Sequence, residues 1–117
     1  MTEKAGRTRE YLTHMLLAVE RIEEYTTGFT SVSFEADTRT QDAVIRNFEI
    51  LGEAARNILR HDPSFVRTHP ELPWAQAYQM RNALSHGYAD VDIEIVWRTI
   101  QTRIPTLKTQ LIGLLSP

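Results

Sequence analysis

The chain of 117 residues has no cysteine, only five glycines and five prolines, and no apolar run approaching the ~20 residues that cross a bilayer. Without cysteine there are no disulfides, no thiolate metal sites and no cysteine nucleophile, which fits a reducing compartment and makes the cytoplasm the expected location. The opening Met1-Thr2-Glu3-Lys4-Ala5-Gly6-Arg7 lacks the apolar core of a signal peptide. Charge of one sign is also scarce. Thirteen Lys and Arg against fifteen Asp and Glu give a net charge of −2 and a pI near 6.1. That balance argues against broad, charge-driven coating of nucleic acid but leaves room for a local basic site, particularly one assembled across a two-fold axis. Alternating strand patterns, internal repeats and low-complexity tracts are absent too.

What is present is helical periodicity. At 42% hydrophobic and 24% charged residues, the chain reads as one globular domain over residues 1–117, of all-α class. Leu12, Met15, Leu16, Val19 and Ile22 recur at steps of three and four, predicting a helix from Thr8 to Tyr25 that Thr26-Thr27-Gly28 ends. Residues Ser31 to Asp37 read as a loop or single turn. Thr38 and Gln41 have the capping-box spacing, so a second helix is expected from Thr38 to about Arg60, with Val44, Phe48, Leu51, Ala55 and Ile58 as its apolar seam.

The stretch from His61 to Pro73 holds three prolines and reads as a long connection. A third helix follows from about Trp74 to Ser85, with Arg81 set among the apolar residues Trp74, Ala77, Tyr78 and Leu84. Asp92 is a natural N-cap for a fourth helix, with Val91 and Val96 as a hydrophobic staple and Glu94 at the positive end of its dipole. Ile93, Val96, Trp97, Ile100, Ile104, Leu107, Leu111 and Leu114 keep helical spacing through that helix, and Pro105 should kink it by removing the bond to Gln101. The architecture expected is an up-and-down bundle of four main helices with room for one extra short helix.

The chemistry concentrates in Met80-Arg81-Asn82-Ala83-Leu84-Ser85-His86-Gly87-Tyr88. Arginine offers a planar, permanently charged fork for phosphate, and histidine exchanges protons near neutrality, as RNA cleavage by its own 2′-hydroxyl requires. Five positions on a continuous helix separate side chains by roughly 140°, so Arg81 and His86 do not share a face. Gly87 can release the chain from helical geometry, and a two-fold partner can bring a second copy alongside. From chemistry alone a bland reading carries more weight: Arg81 laying its stem on the core beside a carboxylate, His86 capping carbonyls, Tyr88 packing after a helix end.

Arg81, followed by four spacers, His86, one spacer and Tyr88, resembles the signature of the HepT-like HEPN ribonuclease family. The likeness extends through Arg21-Ile22-Glu23-Glu24-Tyr25, Thr40 to Arg46, Leu51-Gly52-Glu53-Ala54-Ala55, Pro73-Trp74 and Val91 to Trp97, and covers about Arg9 to Leu115. The resemblance implies a helical HEPN fold, a homodimer with its motifs at or near the interface, and metal-independent endonuclease action on RNA with no cofactor. It implies catalytic roles for Arg81 and His86 and a supporting role for Asn82. It also implies a toxin of a type VII-like toxin–antitoxin pair, whose partner is a small nucleotidyltransferase that transfers AMP from ATP to Tyr88, making Tyr88 a regulatory acceptor. Two positions depart from the expected pattern: Gln79 stands where a small residue often precedes the Met-Arg-Asn triplet, and Ala89 stands where a second aromatic often follows Tyr88.

Two other readings stay open at this point: a non-catalytic module that binds a nucleotide or a protein partner, and a plain helical dimerisation domain. Glu49 and Glu53 lie four apart without histidine at matching spacing, so a metal site there is disfavoured and Glu53 is expected to pair with an arginine. His61, His69 and His14 read as surface residues.

Overall fold

A computed structural model describes residues 2–84 and 91–117, with residues 81–84 described by backbone alone. The described residues form helices and no strand: α1 Glu3–Thr26, α2 Ser31–Glu35, α3 Thr38–His61, α4 Pro63–Thr68, α5 Trp74–Leu84, α6 Ile93–Thr102 and α7 Ile104–Leu115. The expected bundle is present, with α1, α3, α5 and the α6–α7 pair as its long members.

The α1 and α3 helices are each 24 residues long, about 36 Å at 1.5 Å per residue, and pack along most of their length to form the centre of the molecule. Their facing stripes are those the periodicity predicts. Val44, Phe48, Leu51, Ala55 and Ile58 of α3 and Met15, Val19 and Ile22 of α1 are all fully buried. Apart from the small Ala55, each such side chain contributes about 1.5–3 kcal/mol of transfer free energy. The α5 helix packs on α3, while α7 closes over α1. Lys108 Nζ of α7 donates to Glu23 Oε1 of α1 at 2.8 Å, and that bond with its ion pair holds the Lys108 ammonium above its usual pKa.

Several boundaries differ from the sequence reading, each for a local hydrogen-bonding reason. The first helix begins five residues earlier than expected, because Thr2 Oγ1 accepts from the amide of Ala5 at 3.0 Å and caps it. Its end agrees: Gly28 takes φ +81°, a conformation costly for any residue with a Cβ. The segment expected to be a loop or turn is the one-turn helix α2, closed by a reciprocal capping box between Thr30 and Ser33.

The N-cap of α3 is Asp37, whose Oδ1 accepts from the Thr40 amide at 2.9 Å, and not a Thr38–Gln41 box. A carboxylate one residue upstream outcompetes the threonine hydroxyl for the free amides, and Gln41 instead donates through Nε2 to the carbonyls of Phe34 and Glu35 at 2.8 and 2.9 Å. Within the long connection, Pro63 nucleates α4 by occupying its first turn, where its missing N–H costs nothing.

The long fourth helix is broken, not kinked. Its two halves meet at Arg103, with φ −106° and ψ −39°, because Pro105 removes one bond and its ring crowds the carbonyl of Gln101. Ile104 remains fully buried at the junction, so the apolar stripe continues across the break.

Asp62 ties three helices together. It is 6% exposed, caps α4 through Oδ1 to the amide of Phe65 at 3.3 Å, and accepts from the hydroxyls of Ser64 at 3.1 Å and Thr8 of α1 at 2.7 Å. Burial alone would push its carboxyl up. The hydrogen bonds from Thr8, Ser64 and the Phe65 amide, with the charge of Lys4, outweigh that effect and hold the carboxyl below its ordinary value of 3.8.

Candidate nuclease site at the end of α5

The helix that carries the motif is anchored at its first turns. Trp74 is 5% exposed; its indole Nε1 donates to the carbonyl of His69 at 2.8 Å, and Phe65 packs edge-on against it with centroids 5.9 Å apart. Ala77 is fully buried, while Tyr78 and Met80 pack partly buried against the same core. The small side chain at Ala77 lets α5 approach α3 closely, so the helix is seated on the core by packing at its first turns.

Arg81 and Asn82 lie in that last turn, and their side chains lie outside the described residues, as do His86 and Tyr88 altogether. Chain order places Arg81 and Asn82 on α5 and puts His86 and Tyr88 in the link to α6. On the far side of the link, Asp92 caps α6 as predicted, its Oδ1 accepting from the amides of Glu94 at 3.0 Å and Ile95 at 3.2 Å. Val91 is half-buried against the core and Val96 is fully buried, so the staple expected from the sequence has both its residues on the core side. The motif is thus held between an anchored helix and a capped one.

The other expected candidates are well described. Glu53 Oε1 lies 3.4 Å from Arg56 Nη1, and Glu49 Oε2 lies 3.7 Å from Arg46 Nη1, both across one turn of α3. The expected arginine partner for Glu53 is therefore present. Among the described residues no group of three or more His, Asp or Glu is placed to hold a metal ion. His61 is exposed and stacks on Tyr11 with centroids 6.2 Å apart, and His69 Nδ1 lies 3.2 Å from Glu71. His14 is exposed and lines a shallow groove of about 320 Å³ with Arg46, Glu49, Glu53 and Asn57, a setting its place on an amphipathic helix does not reveal.

The sequence family described as ribonuclease HepT-like matches residues 15–113, nearly the whole of the described bundle. The chain belongs to the HepT-like family. A HepT-like relative from Thermococcus cleftensis, named "Probable ribonuclease HepT", is 43% identical over 100 residues, covering 86% of this chain and 88% of that protein. A protein of Caldanaerobacter subterraneus subsp. tengcongensis named "Putative RNase TTE0752" is 35% identical over 102 residues, covering 87% and 88%. The "Gamma-glutamylcyclotransferase and putative RNase MJ0434" of Methanocaldococcus jannaschii is 36% identical over 105 residues; the match spans 90% of this chain but 46% of that longer protein. No solved structure matches significantly. The HepT-like match includes both flanks of the motif, α5 and the start of α6.

Two residues that front a second cavity were not singled out in the sequence. Trp97 reads there as one more core residue of its helix, and Glu35 as part of a loop. The signal was available: Val96 and Trp97 are adjacent and so point about 100° apart on a helix, and both cannot face the centre of the core. Val96 is fully buried and Trp97 only partly so.

Proposed function

We propose that this chain is a metal-independent endoribonuclease, the toxin of a type VII-like toxin–antitoxin pair, acting in the cytoplasm as a homodimer. The observation that carries the reading is the Arg81–His86–Tyr88 spacing at the junction of α5 and α6, within a chain whose match to the HepT-like family spans residues 15–113. Arg81 binds the scissile phosphate and the charge that builds on it. His86 moves the proton of the 2′-hydroxyl or of the leaving oxygen, and Asn82 supports them. On a continuous helix five positions would keep Arg81 and His86 off a common face, and a second copy of the motif across a two-fold axis is one way to complete the site. Among the described residues no helix is long and apolar enough to cross a membrane.

Tyr88 is the proposed regulatory acceptor. A partner nucleotidyltransferase transfers AMP from ATP to its phenol oxygen with release of pyrophosphate. The adduct adds bulk and negative charge two residues from His86 and competes with the RNA phosphate for Arg81. The test is intact mass of the protein after incubation with the candidate partner and ATP, followed by RNA cleavage in chelator before and after. An AMP adduct mapped to Tyr88 with lost cleavage is the expected result. No adduct and no cleavage in either state would overturn the proposal in favour of a non-catalytic binding module.

A further inference from the structure

Between α2 and α6 lies a cavity of about 520 Å³, fronted by Ser31 and Glu35 on one side and by Val91, Ile93, Glu94 and Trp97 on the other. Its volume falls in the range of small-ligand sites. The Trp97 indole is partly buried, and Phe34, itself fully buried, backs it at a centroid distance of 5.2 Å with a 34° tilt. The indole is thus a supported aromatic surface fronting an open cavity, with Val91 and Ile93 beside it, the surroundings in which a flat heterocycle stacks.

Beside the Ser31 hydroxyl, the polar side chains that front the cavity with Trp97 are three carboxylates, and two of them are engaged. Asp92 caps its own helix through Oδ1, and Glu94 pairs with Arg98 at 3.7 Å. Among the described residues the Glu35 carboxylate has no hydrogen bond or ion pair, whereas its backbone carbonyl is taken by Gln41. An ionised carboxylate only accepts, through two adjacent oxygens. The edge that matches it carries two N–H donors side by side, as the guanine N1–H and N2–H do. Adenine and cytosine offer one amino group beside a ring acceptor, and uracil a single N–H between two carbonyls. The same carboxylates repel phosphate, so a base enters and the strand's backbone stays outside.

We propose that this cavity is a guanine-binding subsite that helps select where the RNA strand is held. The inference rests on the ribonuclease reading above for its biological use, and on the cavity alone for its chemistry. Val91 follows His86 by five residues, at most roughly 18 Å of extended chain, so a base held here lies within a few nucleotides of the motif.

The test uses ligands that a ribonuclease cannot cut. Tryptophan fluorescence of the full chain is titrated with 2′-deoxyguanosine and with 2′-deoxyuridine; Trp74 is 5% exposed, which leaves Trp97 as the quenchable residue. Deoxyguanosine is expected to bind about tenfold more tightly, the lower part of the discrimination a matched bidentate pair gives. Glu35→Gln, at an exposed position, should keep the fold by circular dichroism and bring the two nucleosides to near parity. In Trp97→Phe, followed by ligand-observed magnetic resonance, affinity for both should weaken. Equal affinities in the unaltered protein, no quenching by deoxyguanosine, or an undiminished preference in Glu35→Gln would each overturn the subsite. A protein that binds deoxyguanosine as described but never cuts RNA would leave the subsite standing and remove the nuclease reading instead.

Discussion

Arg81→Ala and His86→Ala are each expected to lower RNA cleavage by about two to four orders of magnitude, the range for removing a charge-stabilising group or a proton-transfer group. The double substitution should cost little more than either single one, because in the proposed mechanism the two groups act as a unit on one phosphate. Cleavage rates on a defined RNA in chelator, with the purified protein, give the measurement. The thermal melt of the same proteins separates catalysis from architecture: an arginine kept for chemistry can be removed with a neutral or favourable effect on stability, whereas one that packs on the core and pairs with a carboxylate cannot. Unchanged cleavage in both single variants would remove these residues from the mechanism. A lowered melting temperature in Arg81→Ala with cleavage intact would favour the dimerisation-domain reading.

Asp62→Ala is expected to destabilise the fold by about 2–3 kcal/mol, combining a lost N-cap with a buried hydroxyl left without its acceptor. The donors that lose their acceptor are the hydroxyls of Thr8 and Ser64, while the Phe65 amide loses its side-chain cap and keeps its 3.1 Å bond to the backbone carbonyl of residue 62. Urea unfolding would read this as a lower midpoint at unchanged slope. The same carboxylate sets an acid limit. Its folded pKa lies below the ordinary value of 3.8, so its contribution is fully present above that value and is lost as pH falls from there through the folded value. The difference in unfolding free energy between the original protein and Asp62→Asn should therefore be constant near neutrality and shrink below about pH 4. A difference that stays constant to pH 3 would show that the ionised form of Asp62 does not matter to the fold.

The sequence pattern carries the long-range architecture because burial obeys helical periodicity: every seam residue read for α3 is fully buried, and Asp92 is the cap it was read to be. Where reading and structure part, a short-range competition is responsible. Asp37 displaces Thr38 as a cap because a carboxylate and a hydroxyl contend for the same free amides. Pro105 breaks the last helix because its ring and its missing donor act on one turn together.

The Thr8–Asp62 bond joins residues 54 positions apart, and no spacing rule reaches that far. The candidate site divides in the same way. Arg81, Asn82, His86 and Tyr88 are legible as a linear motif, since the chemistry and the family likeness are both local in sequence. The Trp97 cavity is not, because it exists only once α2 is laid beside α6.

The break at Arg103 also partitions the stability of the chain. The α6 helix buries Val96 and Ile100, whereas α3 buries eight residues along its length, and α6 rests on the single turn of α2 and on α7. With its hydrogen-bond ladder interrupted at Arg103, opening α6 does not require opening α7, which stays fastened to α1 through Lys108 and Glu23. A unit with so little buried surface separates from its neighbours at a fraction of the cost of unfolding the whole chain. The link from α5 to α6 therefore joins a helix packed on α3 to one that separates more cheaply than the long helices, and α6 can lift while the α1–α3 core stays folded.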